Sequence, residues 1–529
     1  MNLAELIDIP GSIDGGRRAL TNLGRSLSYQ EVTDATCSAA DKLRSYGLGA
    51  SCAVAVIDAN TPAQVMTLIA LARLGACCVP VNSRGRPQEL AAMLDASGVD
   101  AVIAGTGFAE LAEAAVAKAA ERRPVLLTDE WGSSYRVSGG EAPAWEPSAS
   151  GGDEPGERAA LQIFTSGTVS VPKPFSFTND ALTSYIAATV DLLSAGEEDA
   201  TLLAVPMHHI AGIMGLLGGW FAGRRVVLLP RFDAEAWLET VERERISHAF
   251  VVPTMMRRIL DGLGARQRDL SSLKILSYGA APMPMAVLER AIEAMPSNVG
   301  LSNAFGQTET TSVITLLGPD DHRLDGLTGK ELEIHRQRLR SAGRPLPGAE
   351  IRTVDDRGSI LPIGTVGEIV VRASWLTGEG GRSGGPPLET GWQATGDLGW
   401  VDEEGYLFLA GRKDDLIIRG GENISPAQVE AVLESYDDVE EACVVGLPDT
   451  EWGERLAAAV IVRTPVSVED LQRYCQERIG SLKVPEQVVF VEDLPRNAMG
   501  KVVRRELKRQ LAEGLPNRTD QPLQSERRV

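Results

Sequence analysis

The stretch IFTSGTVSVPKP, residues 163–174, sets several hydroxyl side chains and a glycine between an apolar run and a lysine flanked by prolines. Such a loop can hold phosphate, because small residues let backbone N–H groups converge on an anion while hydroxyls and a lysine add donors and charge. It can equally be a polar turn after a strand. Its spacing differs from that of the Walker loop, G-x-x-x-x-G-K-[ST], so the stretch alone leaves both interpretations open.

Short apolar runs alternate with helical patterns on both sides of this loop. Before it, Thr61 and Pro62 form an N-cap and first-turn pair, and Val65, Leu68 and Ile69 then fall on one helix face. The predicted strands are CAVAVID, CCVPV and VDAVIAG before the loop, and TLLAVPM, RVVLLP, HAFVVP and LKILSYG after it. The alternation predicts two α/β units with mostly parallel sheets covered by helices.

The last part of the chain follows a different pattern. Between residues 350 and 410 the runs EIRTVD, GEIVVRA and GYLFLAG lie close together with Gly-rich turns, which predicts a smaller antiparallel β unit. After GRKDD the chain reads as a compact α+β segment that ends in a polar tail. The polar stretch 132–158, dense in Gly, Ser, Pro and Glu, is predicted to be a mobile surface loop.

Composition limits the class of protein. The chain has 529 residues, of which 43% are hydrophobic and 23% charged, as in globular proteins. Its length predicts about three or four units or subdomains. Its net charge of −20 argues against nucleic acid and anionic membranes as general partners. Neither a long apolar run nor a basic leader is present, so we expect a cytoplasmic protein without integral membrane association.

The six cysteines show neither paired CxxC spacing nor the density of a disulfide scaffold, and we expect them to be buried free thiols. They are Cys37, Cys52, Cys77, Cys78, Cys443 and Cys475.

Four further motifs follow the opening loop in a fixed order: NAFGQTET (303–310), GWQATGDLGW (391–400), GRKDDLIIRGGENISPAQVE (411–430) and LPRNAMGKVVRREL (494–507). Together the five resemble the adenylate-forming enzymes, which include acyl-CoA synthetases, aryl-CoA ligases, peptide-synthetase adenylation domains and luciferases. The resemblance runs from about residue 25 to 510 and is strongest to AMP-forming acyl-CoA ligases.

The resemblance implies a fold and a reaction. The fold would be α/β, with a large amino-terminal domain (1–413) of two stacked α/β subdomains plus a β-barrel-like subdomain, and a small mobile α+β lid domain (414–529). Family members activate a carboxylate with ATP and Mg²⁺ to give acyl-AMP and pyrophosphate. They then usually pass the acyl group to a thiol, and the small domain rotates between these half-reactions.

The resemblance also assigns the opening loop as a phosphate loop. The matching residues are Thr165, Ser166, Gly167, Thr168 and Lys173. Val169, Ser170 and Pro174 depart from the family pattern, where a hydroxyl residue and two glycines are usual. Because Ser170 lacks the freedom of glycine at positive φ, we expect a loop shaped differently from the family norm.

Other nucleotide contacts follow from the next motifs. Thr308 would contact the α-phosphate and Glu309 would bind Mg²⁺. The Phe305-Gly306 step would lie against adenine, with the turn at Gly279, Ala280 and Ala281 on its other side. Asp397 and Arg412 would contact the ribose hydroxyls.

The remaining assignments concern the lid and the acid. Asp414 takes the hinge position, Gly420 and Gly421 would line the pantetheine tunnel, and Lys501 would bridge carboxylate and α-phosphate. His209 falls at the mouth between acid pocket and thiol tunnel, although the pair His208 and His209 can also be core residues. Without a third ligand at suitable spacing, the pair does not predict a metal site.

The resulting prediction is an AMP-forming carboxylate:CoA ligase that uses ATP, Mg²⁺ and CoA. The segments expected around the acid are small or apolar and hold no Asp for an amino group, which favours an uncharged aliphatic or aryl tail. Two alternatives remain: an acyl-AMP ligase that loads a carrier protein, and a non-catalytic nucleotide- or acyl-binding protein. A homodimer is compatible with the sequence, which marks no interface.

Overall fold

The structure is a computed structural model that describes residues 1–139, 159–165, 173–265, 268–376, 386, 388–496 and 501–514. The helices are α1 Glu5–Ile13, α2 Tyr29–Ser45, α3 Pro62–Leu74, α4 Pro87–Ser97, α5 Ala109–Val116, α6 Asn179–Thr189, α7 Ile210–Phe221, α8 Ala234–Glu244, α9 Pro253–Ala265, α10 Met285–Ala294, α11 Gly329–Arg338, α12 Pro426–Glu434, α13 Val468–Ile479 and α14 Arg504–Ala512.

The strands are β1 Arg18–Asn22, β2 Arg25–Ser28, β3 Ala53–Asp58, β4 Cys77–Asn82, β5 Ala101–Gly105, β6 Val125–Thr128, β7 Tyr135–Val137, β8 Ala159–Thr165, β9 Lys173–Thr178, β10 Ala200–Leu203, β11 Arg225–Leu228, β12 His248–Val251, β13 Ile275–Gly279, β14 Gly300–Gln307, β15 Ser312–Leu317, β16 Arg344–Pro345, β17 Ala349–Val354, β18 Gly367–Ala373, β19 Gln393–Val401, β20 Leu407–Arg412, β21 Ile417–Arg419, β22 Glu422–Ile424, β23 Val439–Asp449, β24 Gly453–Val462 and β25 Gln487–Phe490.

The first α/β unit is a seven-stranded sheet in the order β7-β6-β5-β3-β4-β8-β9, parallel except at its two edges. Helix α3 begins as the sequence predicts, with Thr61 Oγ1 accepting a hydrogen bond from Gln64 N and Pro62 in the first turn. The helix is buried almost all round rather than on one face, because it lies in the core that joins this sheet to the next one.

The second α/β unit is a nine-stranded sheet in the order β16-β15-β14-β13-β12-β10-β11-β1-β2. Its centre, β10 to β13, corresponds to the four strands predicted after the loop. Strands β1 and β2 come from the amino terminus, and β1 pairs in parallel with β11. The first strands of the chain therefore complete the second sheet.

Two smaller sheets follow, a four-stranded antiparallel one (β17-β18-β19-β20) and a five-stranded one (β22-β21-β24-β23, with β25 beside β24). Helices α12 and α13 contribute to the core on one face of the last sheet, and α14 contributes to the core on the other. This mixed α/β architecture confirms the predicted fold class. A short 3-10 turn, Lys413–Asp415, connects the two sheets at the predicted domain boundary, which itself stays a prediction.

Two local predictions are wrong. The stretch 132–158 is not loop throughout, since Tyr135–Val137 forms edge strand β7 with Tyr135 buried and its hydroxyl 3.1 Å from Thr67 Oγ1. Residues 140–158 lie outside the described ones. Cys37 is exposed on α2, although the other five cysteines are buried as expected. None of the described helices combines the length and the apolar composition that a membrane span requires.

Candidate active site

A cleft of about 2990 Å³ opens between the large sheets and the last, five-stranded sheet. It brings together most of the residues singled out from the sequence. Those lining it are Thr165, Lys173, His209, Gly279, Ala280, Ala281, Phe305, Gly306, Thr308, Glu309, Asp397, Arg412, Asp414 and Lys501. Gly420 and Gly421 do not line it.

The stretch that opens the sequence analysis joins two paired strands. Strands β8 and β9 are antiparallel, with Thr165 directly opposite Lys173, and both residues face the cleft. Ser166, Gly167 and Thr168 lie outside the described residues, as do Val169 and Ser170. The stems of the loop are therefore at the cleft, and the exposed Lys173 supplies a cation there.

Close backbone packing shapes the floor of the cleft. A Cβ on Gly279 would lie 2.1 Å from the Ala304 carbonyl oxygen, and one on Gly306 would lie 1.7 Å from the Ser312 oxygen. Both distances are far below van der Waals contact, so only glycine fits at either position. The next residue in the first turn, Ala280, has a φ of 67°, a left-handed conformation that costs a residue with a side chain about 1 kcal/mol.

Glu309 lies in the 3-10 turn Thr308–Thr310 at the end of β14. Two hydrogen bonds fix this turn: Gln307 N donates to Thr310 Oγ1 at 2.9 Å, and Gln393 Nε2 donates to the Glu309 carbonyl oxygen at 2.9 Å. The Glu309 carboxylate is left facing the cleft. Among the described residues there is no group of three or more His, Cys, Asp or Glu arranged to hold a metal.

Asp397 and Arg412 form a pair across strands β19 and β20, where the two residues are in register. Arg412 Nε lies 3.1 Å from Asp397 Oδ1, and Gln307 Nε2 donates to Asp397 Oδ2. Burial raises the pKa of Asp397, and the charge of Arg412 opposes that rise. Gln307 belongs to a motif quoted above, yet its role as the link between the Glu309 turn and Asp397 was missed, because strand register is not visible in the sequence.

Lys501 reaches the cleft from just before α14. Enclosure in the cleft and the nearby charge of Arg412 lower its pKa, while Asp397 and Asp415 favour the charged ammonium. Three residues on, Arg504 donates to Glu430 at 2.5 and 2.8 Å and lies 3.4 Å from the Asp415 carboxylate. Arg504 therefore ties the segment carrying Lys501 to α12 and to the turn at Lys413–Asp415.

The two adjacent histidines lie at the start of α7, with ring centroids 4.3 Å apart. Burial lowers the pKa of His209 to about 4, and burial followed by the nearby His209 and Arg84 lowers that of His208 further. Both rings are therefore neutral near pH 7. Each Nε2 atom is buried without a hydrogen-bond partner in the described residues, and both side chains face the cleft.

Gly420 and Gly421 form the two-residue turn between β21 and β22. Their φ values of 57° and 86° are those of a tight hairpin turn, and Gly420 packs against Trp452, where a Cβ would come within 2.9 Å of the ring. Both residues thus have a structural reason to be glycine in this conformation.

A family model described as AMP-binding enzyme matches residues 13–379, and a second, AMP-binding enzyme C-terminal domain, matches residues 428–501. The chain belongs to the AMP-binding enzyme family. The resemblance read from the five motifs is thereby confirmed.

Curated relatives and solved structures extend this assignment. This AMP-binding enzyme is 32% identical over 506 residues to the 2-succinylbenzoate–CoA ligase of Bacillus cereus (strain Q1), covering 94% of the chain and 96% of that relative. It is 31% identical over 529 residues to the indoleacetate–CoA ligase of Aromatoleum aromaticum, and the match covers 97% of the chain and 98% of that relative. The structure of the amide bond synthetase McbA from Marinactinospora thermotolerans superposes with a TM-score of 0.80 at 28% identity. The match covers 96% of the present chain and 99% of McbA.

Proposed function

We propose that this AMP-binding enzyme is an AMP-forming carboxylate:CoA ligase that converts an organic acid to its acyl-AMP and then to its CoA thioester. The observation that carries the proposal is that one cleft holds the Glu309 carboxylate, the Asp397–Arg412 pair and the Lys501 ammonium. The two curated relatives, both acid–thiol ligases by name, support the same reaction class. AMP-forming CoA ligases use ATP, Mg²⁺ and CoA.

In this proposal ATP lies along the floor of the cleft. Adenine packs between Phe305 and the turn at Gly279 to Ala281, and the ribose hydroxyls bond to the Asp397–Arg412 pair. The phosphates reach the β8–β9 loop, where Lys173 and the hydroxyl and amide groups of the segment meet them. The loop residues assigned to these contacts are Thr165, Ser166, Gly167 and Thr168.

Glu309 is the proposed protein ligand of Mg²⁺, and Thr308 the proposed contact of the α-phosphate. A single carboxylate fits this metal, because Mg²⁺ at nucleotide sites is usually held by one or two carboxylates together with substrate phosphates and water. When bound there, Mg²⁺ would supply positive charge that neutralises phosphate oxygens and makes pyrophosphate a better leaving group.

Lys501 has the central electrostatic role. An acid carboxylate and ATP repel each other, and an ammonium group between them stabilises the charge that develops as the carboxylate oxygen attacks the α-phosphorus and pyrophosphate leaves. In the second step the thiol sulfur attacks the acyl carbon, and AMP leaves with the electron pair of the broken C–O bond. His209, neutral near pH 7, would stand at the gate between acid and thiol.

The proposal includes a division of the chain into a domain of residues 1–413 and a lid of residues 414–529. Asp414 would be the hinge, at the 3-10 turn Lys413–Asp415. After rotation Gly420 and Gly421 would line the pantetheine tunnel. Their position off the present cleft fits a role in a second lid orientation.

ATP–pyrophosphate exchange with a panel of acids tests the proposal. We expect acid-dependent exchange with simple aliphatic or aromatic acids, and the panel should include 2-succinylbenzoate and indoleacetate. If ATP binds but no acid supports exchange, the non-catalytic alternative is correct. If an amino acid outcompetes every simple acid, the predicted substrate class is wrong.

The acceptor is tested separately by supplying free CoA, holo carrier protein or an amine after acyl-AMP has formed. We expect thioester with free CoA. Thioester only with the carrier protein would favour the acyl-AMP ligase alternative, and amide would favour a reaction like that named for the amide bond synthetase. The cytoplasmic location and a homodimer stay predictions, which cell fractionation and light scattering would check.

A further inference from the structure

One arm of the cleft runs beneath α7 to the amino ends of the parallel strands, away from the nucleotide residues. Thr201, His248 and Ile275 lie side by side at the starts of β10, β12 and β13, and all three line this arm. Tyr278 and Gly279 line the cleft at the opposite, carboxyl end of β13. The cavity therefore crosses the sheet face from end to end.

Glycines in α7 leave room for the arm. Gly215, Gly218 and Gly219 line it, and a Cβ on Gly219 would lie 3.4 Å from Thr201 Oγ1. Between the gate residue His209 and Gly219 the helix rises about 15 Å at 1.5 Å per residue. The arm is thus long enough for an extended acid whose reacting carboxylate stays at the gate.

The far end of this arm carries polar side-chain atoms that have no hydrogen-bond partner among the described residues. Thr201 Oγ1 and Arg224 Nε are both buried without a hydrogen bond in the described residues. Arg224 lines the cavity, and in the described part of the chain its guanidinium makes no ion pair. Asp199 acts on it only at longer range, since that carboxylate is 2.7 Å from Lys274 Nζ and accepts from Gly196 N at 3.0 Å.

The next residue, Arg225, is an arginine whose guanidinium is paired at this end of the sheet. Arg225 donates to Glu244 Oε2 at 2.7 Å and to Thr21 Oγ1 at 3.2 Å. Among the described residues Arg224 makes no such side-chain hydrogen bonds, and burial lowers its pKa. A buried guanidinium nitrogen and a buried hydroxyl without partners are costly unless a ligand supplies acceptors.

We propose that the acid substrate is an elongated dicarboxylate whose second carboxylate accepts hydrogen bonds from Arg224 and Thr201 at the end of the arm. This rests on the proposed function, because the first carboxylate is the one activated near Lys501. A guanidinium suits this task, since its fixed fork matches both oxygens of a carboxylate. His248 lies beside the site, and burial lowers its pKa to about 4, so it adds a neutral ring.

The proposal revises the uncharged tail expected from the sequence. In the sequence, Arg224 is one of two adjacent arginines between a helical pattern and a strand, where cations are common. Only the fold shows that one of them is paired and the other faces the cavity.

The test compares α,ω-dicarboxylic acids, from adipic to dodecanedioic acid and 2-succinylbenzoate, with monocarboxylic acids of the same lengths in pyrophosphate exchange. We expect the protein to prefer one or more diacids in kcat/KM. Arg224→Leu should lose about 100-fold in kcat/KM for the preferred diacid, mainly through KM, and leave monocarboxylic acids nearly unchanged. Arg224→Lys should restore part of the loss.

Arg18→Leu is the matched control, because Arg18 is a nearby arginine whose exposed partner is Glu198 at 2.9 Å. It should affect neither class of acid. The proposal is overturned if the wild-type protein prefers monocarboxylic acids at every length, or if Arg224→Leu weakens both classes equally. If Arg224→Leu fails to fold, the wild-type preference between dicarboxylic and monocarboxylic acids still tests the proposal. Absence of exchange with any acid would instead refute the proposed function.

Discussion

The two sides of the cleft are built in different ways. On the side of the large sheets, the site residues are held by backbone packing, with Gly279 and Gly306 against carbonyl oxygens of neighbouring strands. The opposite side is the proposed lid, residues 414–496 and 501–514 as the structure describes them, and it contacts both a large-sheet helix and the four-stranded sheet through polar side chains. Arg257 lies 2.7 Å from Glu440, and Ser425 Oγ donates to the Ala410 carbonyl oxygen.

This difference separates two kinds of substitution. A change on the sheet side must displace backbone, so it should reduce folding and activity together. A change on the lid side removes a side-chain contact, so it should alter the half-reactions while the protein stays folded. The proposed rotation of the lid requires contacts of the second kind.

The largest expected effect is that of Gly306→Ala. The new Cβ would lie 1.7 Å from the Ser312 oxygen, so β14 and β15 must separate at the turn that carries Glu309. We expect a loss of several kcal/mol in the free energy of unfolding, or no folded protein. Thermal and urea unfolding measure this.

Gly318→Ala is the control, because its Cβ would meet nothing within 4 Å. It should unfold like the wild type. Equal stability of both variants would show that the sheet side is not fixed by backbone packing.

Lys501→Ala should have the next largest effect, on the chemistry rather than on folding. We expect pyrophosphate exchange to fall by about 10²- to 10³-fold, because the cation that offsets carboxylate–phosphate repulsion is gone. Transfer of a supplied acyl-AMP to CoA should stay within a few-fold of wild type, since that step does not need the cation.

Lys508→Ala, in the same part of the lid, is its control. Lys508 pairs with Glu454 at 3.1 Å and does not line the cleft, so both steps should persist. Equal loss of both steps in Lys501→Ala would contradict the role assigned to Lys501.

The two sides should also respond oppositely to pH. On the sheet side the pKa of His209 is about 4, below its usual 6.5, so the folded state prefers the neutral ring. Its contribution to stability is complete above pH 6.5 and is lost as pH falls through 4. On the lid, burial raises the pKa of Glu434 from 4.5 to about 8, so its contribution is complete below pH 4.5 and is lost as pH rises through 8.

Urea unfolding of the wild type and Glu434→Gln between pH 4 and 9 tests whether Glu434 causes the predicted loss of stability at alkaline pH. The variant should lose the decline in stability between pH 4.5 and 8 and keep the decline on the acid side. The exposed Glu477→Gln should follow the wild type at every pH. An unchanged alkaline decline in Glu434→Gln would assign that decline to other groups.

The sequence predicted the parts of this structure that depend on local pattern. Apolar runs such as residues 54–57, and the Thr61-Pro62 pair before α3, specify their own strand or cap. Strand β7 was missed because its apolar content is only Tyr135 and Val137 in a polar stretch. The pairing of β1 with β11 was missed because it joins distant segments.

The candidate site also has parts that the sequence could predict and parts that only the fold shows. Its motifs could be recognised because the residues of each are contiguous, as in NAFGQTET. The Asp397–Arg412 pair was named from separate motifs, but its contact depends on the register of β19 and β20. That Arg224 faces the cavity without an ion pair to any described residue depends on helix, sheet and cavity together, so no single segment of the sequence reveals it.

The smallest expected effect concerns one of the contacts that hold the proposed lid in its present orientation, the ion pair of Arg257. Arg257 on α9 lies 2.7 Å from Glu440 and 3.9 Å from Glu441, and the Arg257 and Glu440 side chains are 23% and 31% exposed. Partly exposed ion pairs contribute up to about 1 kcal/mol, which corresponds to about five-fold in a conformational equilibrium. Arg257→Ala should therefore reduce pyrophosphate exchange a few-fold and leave transfer from acyl-AMP equal or faster, because the lid leaves this orientation more easily.

A double-mutant cycle isolates the contact. If the pair acts as a unit, Glu440→Ala should add little once Arg257 is already Ala, and the exchanged pair Arg257→Glu with Glu440→Arg should regain part of the exchange rate. The pair Arg290–Asp261, 2.8 Å apart and within the large sheets' helices, is the matched control and should leave the ratio of the two steps unchanged. If pyrophosphate exchange and transfer from acyl-AMP fell by the same factor, Arg257 would support the fold of the large sheets rather than the orientation of the lid. The difference between the two sides of the cleft would then not apply to this contact.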